Sequence, residues 1–148
     1  MTRPPAERIM GLDVGGKRTG VAVSDELGII ATPVTFVLRG DRDRDEFRGL
    51  IARFSITKIV AGLPSNMSGQ EGLQAEAARE YADALAADLD LPLDYWDERL
   101  TSMIAERRMV EAGLRRNERK ERIDSIAAAV MLQSYLDAEA NFRRRRDQ

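Results

Sequence analysis

Met10-Gly11-Leu12-Asp13-Val14-Gly15-Gly16-Lys17-Arg18-Thr19-Gly20-Val21-Ala22-Val23-Ser24-Asp25 is the stretch that decides the fold. Two apolar runs with small residues between them read as a β-hairpin, its strands at 8–14 and 19–24, with Gly15, Gly16 and Gly20 supplying the turn. Asp13 stands at the end of the first run, where an aliphatic side chain would pack better. Taking an unpaired carboxylate out of water is expensive, so such a residue needs a metal ion, a cation or several N–H donors beside it.

Working outward, 29–38 is rich in β-branched residues and reads as a third strand, which completes an antiparallel meander. Pro33 near its start favours a place at the sheet edge. The period then changes: Phe47, Leu50, Ile51 and Phe54 recur at helical spacing over 41–54, with acids in the first turn. The apolar run 57–63, ended by Pro64, is the buried strand expected behind a crossover helix. A longer helix over 73–89 has Leu73, Ala77, Tyr81, Ala84 and Leu85 near one face, and 93–96 is a short fifth strand. A helix over 101–112 ends at Gly113. The last helix, 123–138, has Ile123, Ile126, Ala127, Val130, Met131 and Tyr135 on one side. This order predicts an α/β fold with a mixed five-stranded sheet, three antiparallel strands and then two parallel ones, flanked by helices. One domain over 1–148 is expected, with a basic C-terminal tail at about 139–148.

The composition narrows the chemistry. The chain has 148 residues, 43% of them apolar and 32% charged, as in a soluble globular protein. No apolar run reaches bilayer length and the first eight residues lack the apolar core of a signal peptide, so a cytoplasmic protein without a membrane partner is expected. With no Cys and no His, disulfides, Cys/His zinc sites and His-dependent triads are excluded. Metal or acid–base work must fall to other side chains, and carboxylate oxygens suit Mg²⁺ or Mn²⁺. The net charge is only −2, but 11 of the 23 Lys and Arg residues lie between Arg107 and Arg146. They form one group from Arg107 to Arg122 and a second at Arg143–Arg146, a distribution that suits a nucleic-acid partner better than the sum does.

The first, fourth and fifth strands should be parallel, so their C-terminal ends share the edge where open α/β sheets place their sites. Asp13 ends the first; Asp97 and Glu98 end the fifth. Helical geometry projects Asp124 between Ala127 and Ala128, level with Met131 and Tyr135, and so toward the sheet. Three converging carboxylates in a chain without His make a candidate divalent-metal site. Two ions about 3.5–4 Å apart can activate a water and stabilise the leaving oxygen of a phosphodiester. Gly15 and Gly16 would let a phosphate backbone approach, and Lys17 and Arg18 would hold it. Plainer roles stand beside these: turn amides for Asp13, a helix cap or a pair with Arg99 for Glu98, an N-cap for Asp124, and solvated turn charges for Lys17 and Arg18. The segment 114–121 is long enough to return past the site as a basic flap carrying Arg115, Arg116, Arg119 and Lys120.

These motifs also resemble a known family. Gly11-Leu12-Asp13-Val14-Gly15 with Lys17-Arg18-Thr19-Gly20, then Gly62-Leu63-Pro64, Asp97-Glu98-Arg99-Leu100-Thr101 and Ile123-Asp124-Ser125-Ile126-Ala127-Ala128 are similar, in order and over nearly the whole chain, to the YqgF (RuvX-type) family. The resemblance implies a ribonuclease-H-like fold. It implies a nuclease described both as a Holliday-junction resolvase and as a factor maturing the 5′ end of pre-16S ribosomal RNA. It further implies that Asp13, Glu98 and Asp124 are the catalytic acids. The related resolvases carry a further acid one helical turn on, where this chain has Ala127, so a fourth ligand would be water, substrate or an acid such as Asp97. Two other readings remain: a non-catalytic RNA-binding module, and an ATP-binding domain of the sugar-kinase and actin type, whose phosphate loop Asp13-Val14-Gly15-Gly16 also resembles. The precursor RNA or branched DNA partner, and a monomer or homodimer, are left open.

Overall fold

A computed structural model describes residues 7–63, 69–100 and 123–146. Its elements are β1 (Ile9–Val14), β2 (Arg18–Ser24), β3 (Ala31–Leu38), α1 (Asp43–Phe54), β4 (Lys58–Leu63), α2 (Gly69–Leu89), β5 (Leu93–Asp97) and α3 (Ile123–Arg146), with a 3₁₀ turn at Glu98–Leu100. The expected helix over 101–112 and the basic segment 114–121 lie outside the described residues. The sheet order is β3-β2-β1-β4-β5. β1 pairs antiparallel with β2 and parallel with β4, and β4 pairs parallel with β5. Mixed pairing of this kind follows from the connections, since a tight turn joins β1 to β2 whereas α1 and α2 carry the crossovers to β4 and β5.

The period-2 alternation of β1 assigns the two sheet faces. Met10 and Leu12 are fully buried with Val21, Val23 and Val37 against Phe47 of α1 and Ala82, Leu85 and Ala86 of α2. Ile9 faces the other way and packs with Ala22, Ala31 and Val60 against Ala128, Ala129, Met131, Leu132, Tyr135 and Leu136 of α3. Gly11 lies on this second face, where a Cβ would fall 2.9 Å from the Cβ of Leu132. The missing side chain lets α3 sit close on the centre of the sheet.

Several expectations need correction. β3 starts at Ala31 rather than 29, because Asp25 Oδ1 accepts the amides of Ile29 and Ile30 at 2.7 and 3.1 Å and holds them in a turn. Pro33 does lie on an edge strand, at a bulge where Ala22 pairs with Pro33 and Val21 with Thr35. In α2 the buried stripe is Ala75, Ala78, Ala82, Leu85 and Ala86, while Leu73 is 69% exposed and Ala77 and Ala84 face solvent. Alanine occurs on every side of this helix, so its sequence has little amphipathic signal, and the stripe of small residues is the one that packs closest.

The last helix runs past 138, and of its expected face Met131 and Tyr135 are buried while other members are not. α3 continues to Arg146, so the residues expected as a tail are helical through that point, their four arginines complementing the C-terminal end of the helix dipole. Ala127 is exposed and Ile126 and Val130 are half-buried, whereas Ala128, Ala129 and Leu132 are fully buried. The flank of α3 toward the start of β3 is covered as well. Gln133 Oε1 accepts the Ala31 amide at 2.9 Å and its Nε2 donates to the Ile29 carbonyl at 2.8 Å. A helix buried on two sides loses the one-sided pattern from which a face is read. Among the described residues no helix is long and apolar enough to cross a membrane.

The α1–α2 layer is fastened by a buried acid. Asp43 is 3% exposed and accepts bonds from the Tyr81 hydroxyl at 2.6 Å and from Arg44 Nη1 at 3.0 Å; Arg44 Nε reaches on to Asp88 at 2.9 Å. Burial alone would raise the pKa of Asp43, but Tyr81, Arg44 and the Gly40 amide together hold it below the ordinary carboxylate value. Tyr81, buried and bonded to that carboxylate, is pushed up to about 12. An acid depressed in the folded state adds stability above its unfolded pKa and loses it as pH falls through the folded one. Asp43→Ala should therefore cost about 2–4 kcal/mol at neutral pH, and Asp43→Asn should flatten the acid limb of stability. Urea titrations from pH 7 down to 3 would measure both.

Candidate active site at the carboxyl edge of the sheet

Asp13 is one residue from the end of β1, half-buried, on the sheet face that α3 covers. Both of its ladder partners are glycines: Gly20 on β2 and Gly62 on β4. On a pleated sheet, paired residues point to the same face, so Asp13 rises between two positions without side chains. Other groups fill that space. The carbonyl of Asp124 presses on Gly20, well inside van der Waals contact with any Cβ built there. Over Gly62, a Cβ would meet Met131 Cγ at 3.0 Å and Glu98 Oε1 at 3.3 Å. The first turn of α3 thus rests on one glycine and the Glu98 carboxyl on the other, with Asp13 between them.

The electrostatics agree with that placement. The pKa of Asp13 is raised, first by burial and then by the negative charge of Asp124. Glu98 is raised too, by burial first and then by Asp13 and Asp97. Asp13 is therefore the middle member, coupled to an acid on either side. Asp124 has a positive neighbour, since Arg18 Nε stands 2.7 Å from its Oδ2. That approach lacks the alignment of a hydrogen bond, and among the described residues the buried Oδ2 has no hydrogen-bond donor. Asp124 is in the first turn of α3, with Ser125 inside the helix, so it is not the residue before the helix that the capping alternative required.

The donor chemistry fits a hard divalent cation. Three carboxylates, two of them raised by burial and mutual repulsion and the third with an orphaned buried oxygen, gain more from a shared cation than from any neutral partner. As placed, no three acids among the described residues stand close enough to form a finished ligand set. The arrangement is a convergent group of acids with Arg18 standing at one of them.

The other expected site residues divide into three sets. Gly15, Gly16 and Lys17 form the exposed β1–β2 turn beside Asp13, and Arg18, also exposed, opens β2. Gly15 has a structural reason of its own: its amide donates to the Arg18 carbonyl at 2.9 Å, and a Cβ would fall 2.6 Å from that oxygen. At Gly16 a Cβ would meet nothing within 4 Å. Arg99 lies in the 3₁₀ turn after Glu98, its side chain outside the described residues. Arg115, Arg116, Arg119 and Lys120 lie outside them entirely. Sequence reasoning missed Arg39, which stacks 4.1 Å from the Tyr81 ring centre and donates through Nη1 to the carbonyls of Gly15 and Gly16 at 3.1 and 3.4 Å. Its amide also donates to the Lys17 carbonyl at 2.9 Å. Arg39 braces the turn, and only the β2–β3 register, shifted by the bulge, brings it there.

A family model described as "RuvX: Holliday junction resolvase" matches residues 7–138. A protein of Lactococcus lactis subsp. cremoris (strain SK11) is 46% identical over 137 residues, which cover 90% of this chain and 96% of that protein. One of Listeria monocytogenes serovar 1/2a is 47% identical over 135 residues, covering 88% and 97%. Both are named "Putative pre-16S rRNA nuclease". Among solved structures, Thermus thermophilus RuvC in complex with a Holliday junction substrate aligns with a TM-score of 0.60 at 14% identity, over 90% of this chain and 96% of that one. The fowlpox virus resolvase aligns at 0.51 and 10% identity, over 89% and 98%. At such identities the likeness establishes the fold, which is ribonuclease-H-like.

The two glycines should respond differently to alanine. Gly20→Ala sets a Cβ against the Asp124 main chain, which cannot yield without moving α3, and should cost about 2–3 kcal/mol. Gly62→Ala meets only side-chain atoms of Met131 and Glu98, none of them main chain, so it should cost under about 1.5 kcal/mol while displacing the Glu98 carboxyl. Thermal melts of the two variants would compare them. Asp13→Asn should do the opposite of a typical core mutation. An acid with a raised folded pKa favours the folded state when protonated, and stability falls as pH rises from the unfolded value through the folded one. In chelator at pH 7 the variant should be more stable than wild type by about 1 kcal/mol, and the difference should vanish below about pH 4. Melting temperatures across that range would show it.

Proposed function

The chain belongs to the RuvX family of Holliday junction resolvases, and on that premise we propose that it is a divalent-metal-dependent endonuclease acting on phosphodiester bonds of structured nucleic acid. The reading favoured here is 5′-end processing of pre-16S ribosomal RNA, as the names of its 46–47% identical relatives suggest. Resolution of branched DNA, which the family description names, is the second reading. One observation carries the proposal: Asp13, flanked in the sheet by Gly20 and Gly62, is the middle member of three acids drawn to one edge by those glycines.

Asp13, Glu98 and Asp124 are the residues that would hold Mg²⁺ or Mn²⁺. Bound there, the metal supplies a Lewis acid for a phosphoryl oxygen and a water of lowered pKa. The protein's own part is positional. Asp13 is fixed by strand pairing on both sides and gives the cluster a rigid centre. Glu98 leaves β5 on a short turn and brings its carboxylate in over Gly62. Gly16 lets a phosphodiester backbone come close to the turn, and Lys17 and Arg18 offer it positive charge. Burial of Asp13 removes competing water and strengthens each electrostatic contact made there.

Cleavage of an end-labelled 16S precursor carrying its 5′ extension, and of a four-way DNA junction, would test this with Mn²⁺ or Mg²⁺ and with chelator. Wild type should cut one of the two only with metal, and Asp13→Asn should lose at least about a hundredfold in rate, of the order seen when one charge-stabilising group is removed. Equal cutting by wild type and Asp13→Asn would place the chemistry elsewhere.

A further inference from the structure

Arg18 is the first residue of β2, two positions before Gly20, so both belong to the sheet face that carries α3. Its guanidinium is held from two directions. Nε stands 2.7 Å from Asp124 Oδ2, and the guanidinium carbon lies 5.3 Å from the centre of the Phe36 ring. Phe36 is paired with Gly20 across the β2–β3 ladder, so its ring stands beside the gap that the Asp124 carbonyl fills. Both contacts are made in one pose, so the Phe36 ring would still be there to support the guanidinium if it left Asp124.

The contact with Asp124 is a loose one. The two side chains are 46% and 30% exposed, and Oδ2 gets charge from Arg18 without an aligned hydrogen bond. Ion pairs this open to solvent are weak and screened by salt. The guanidinium sets a delocalised positive charge beside Asp124. It neutralises only one of three neighbouring acids, and Asp13 and Glu98 still repel each other. A monovalent guanidinium thus partly satisfies a cluster that a divalent ion would satisfy better.

We propose that Arg18 is an internal counter-cation of the site: in the absence of metal it occupies Asp124, it competes with the divalent ion for that carboxylate, and when displaced it rests on Phe36, facing outward as a contact for the phosphodiester backbone. The inference rests on the metal-site reading above. It gives Arg18 two linked effects of opposite sign, weakening ion binding in the free protein and strengthening substrate binding in the loaded one. A merely structural ion pair would produce neither, and a plain phosphate contact would produce only the second.

The test is a direct titration of the full chain with MnCl₂, without nucleic acid, followed by calorimetry and by quenching of Trp96, the single tryptophan, two residues before Glu98. Wild type, Arg18→Gln and Arg18→Lys are compared, with circular dichroism as the check on folding. Arg18→Gln should bind Mn²⁺ about three- to tenfold more tightly than wild type, the range expected for losing one nearby, solvent-screened positive charge. Arg18→Lys, which keeps the charge but cannot stack or fork as Arg does, should lie between them and serves as the reporter if the Gln variant does not fold. With saturating Mn²⁺, Arg18→Gln should also bind a duplex-containing nucleic acid more weakly than wild type. Metal affinity unchanged or weaker in both variants would overturn the inference and leave the metal site standing. Absence of Mn²⁺ binding in all three proteins would overturn the metal-site reading itself, and this inference with it.

Discussion

The carboxyl edge of this sheet depends on close approach. Asp13 could be flanked by two ordinary side chains, as a residue in the middle strand of a sheet usually is, and then nothing could come near it from the α3 side. Glycine at 20 and at 62 removes both flanks. One gap admits the main chain at the start of α3 and the other admits the Glu98 carboxyl, so three acids distant in sequence are set around a rigid strand. Gly11 repeats the device one step toward the centre of the sheet, where Leu132 occupies the space. The orientation of α3 therefore follows largely from which residues of the sheet lack a side chain.

The arrangement is costly in the absence of a cation. Burial and mutual repulsion raise the pKa of Asp13 and of Glu98, which means that the ionised forms work against folding. The apolar layers on both faces of the sheet supply the stability that tolerates this, through fully buried Phe47, Met10 and Leu12 on one side and Leu132 with its neighbours on the other. The two carboxylate environments of the molecule differ in sign. Asp43 is buried with Tyr81 and Arg44 bonded to it and its pKa is lowered, as in an acid that holds structure together. Asp13 is half-buried with like charges for neighbours and its pKa is raised, the kind of perturbation that clusters at functional sites.

Much of this was legible in the sequence. The hairpin, the meander with Pro33 at an edge, the parallel β4 and β5 and the placement of Asp13 and Glu98 at one edge follow from alternation, turn residues and crossover length. Gly20 and Gly62 were visible as letters, but their meaning depends on register: only once Asp13 is known to pair with both does their lack of a side chain become a feature of the site. The buried faces of α2 and α3 were misread for a related reason. Alanines all round α2, and a polar flank of α3 buried through Gln133 against the start of β3, erase the one-sided apolar stripe. Arg39 and Phe36 could not have been found at all, because a bulge at Val34 sets which β3 residues reach the hairpin and Asp124.

The most direct measurement is the anomalous scattering of a crystal soaked in MnCl₂ near neutral pH. An ion should be found on Asp13 and on at least one of Glu98 and Asp124, with the Arg18 guanidinium withdrawn from Asp124. Manganese bound elsewhere, or absent from a crystal of protein that cleaves nucleic acid in the same buffer, would contradict it.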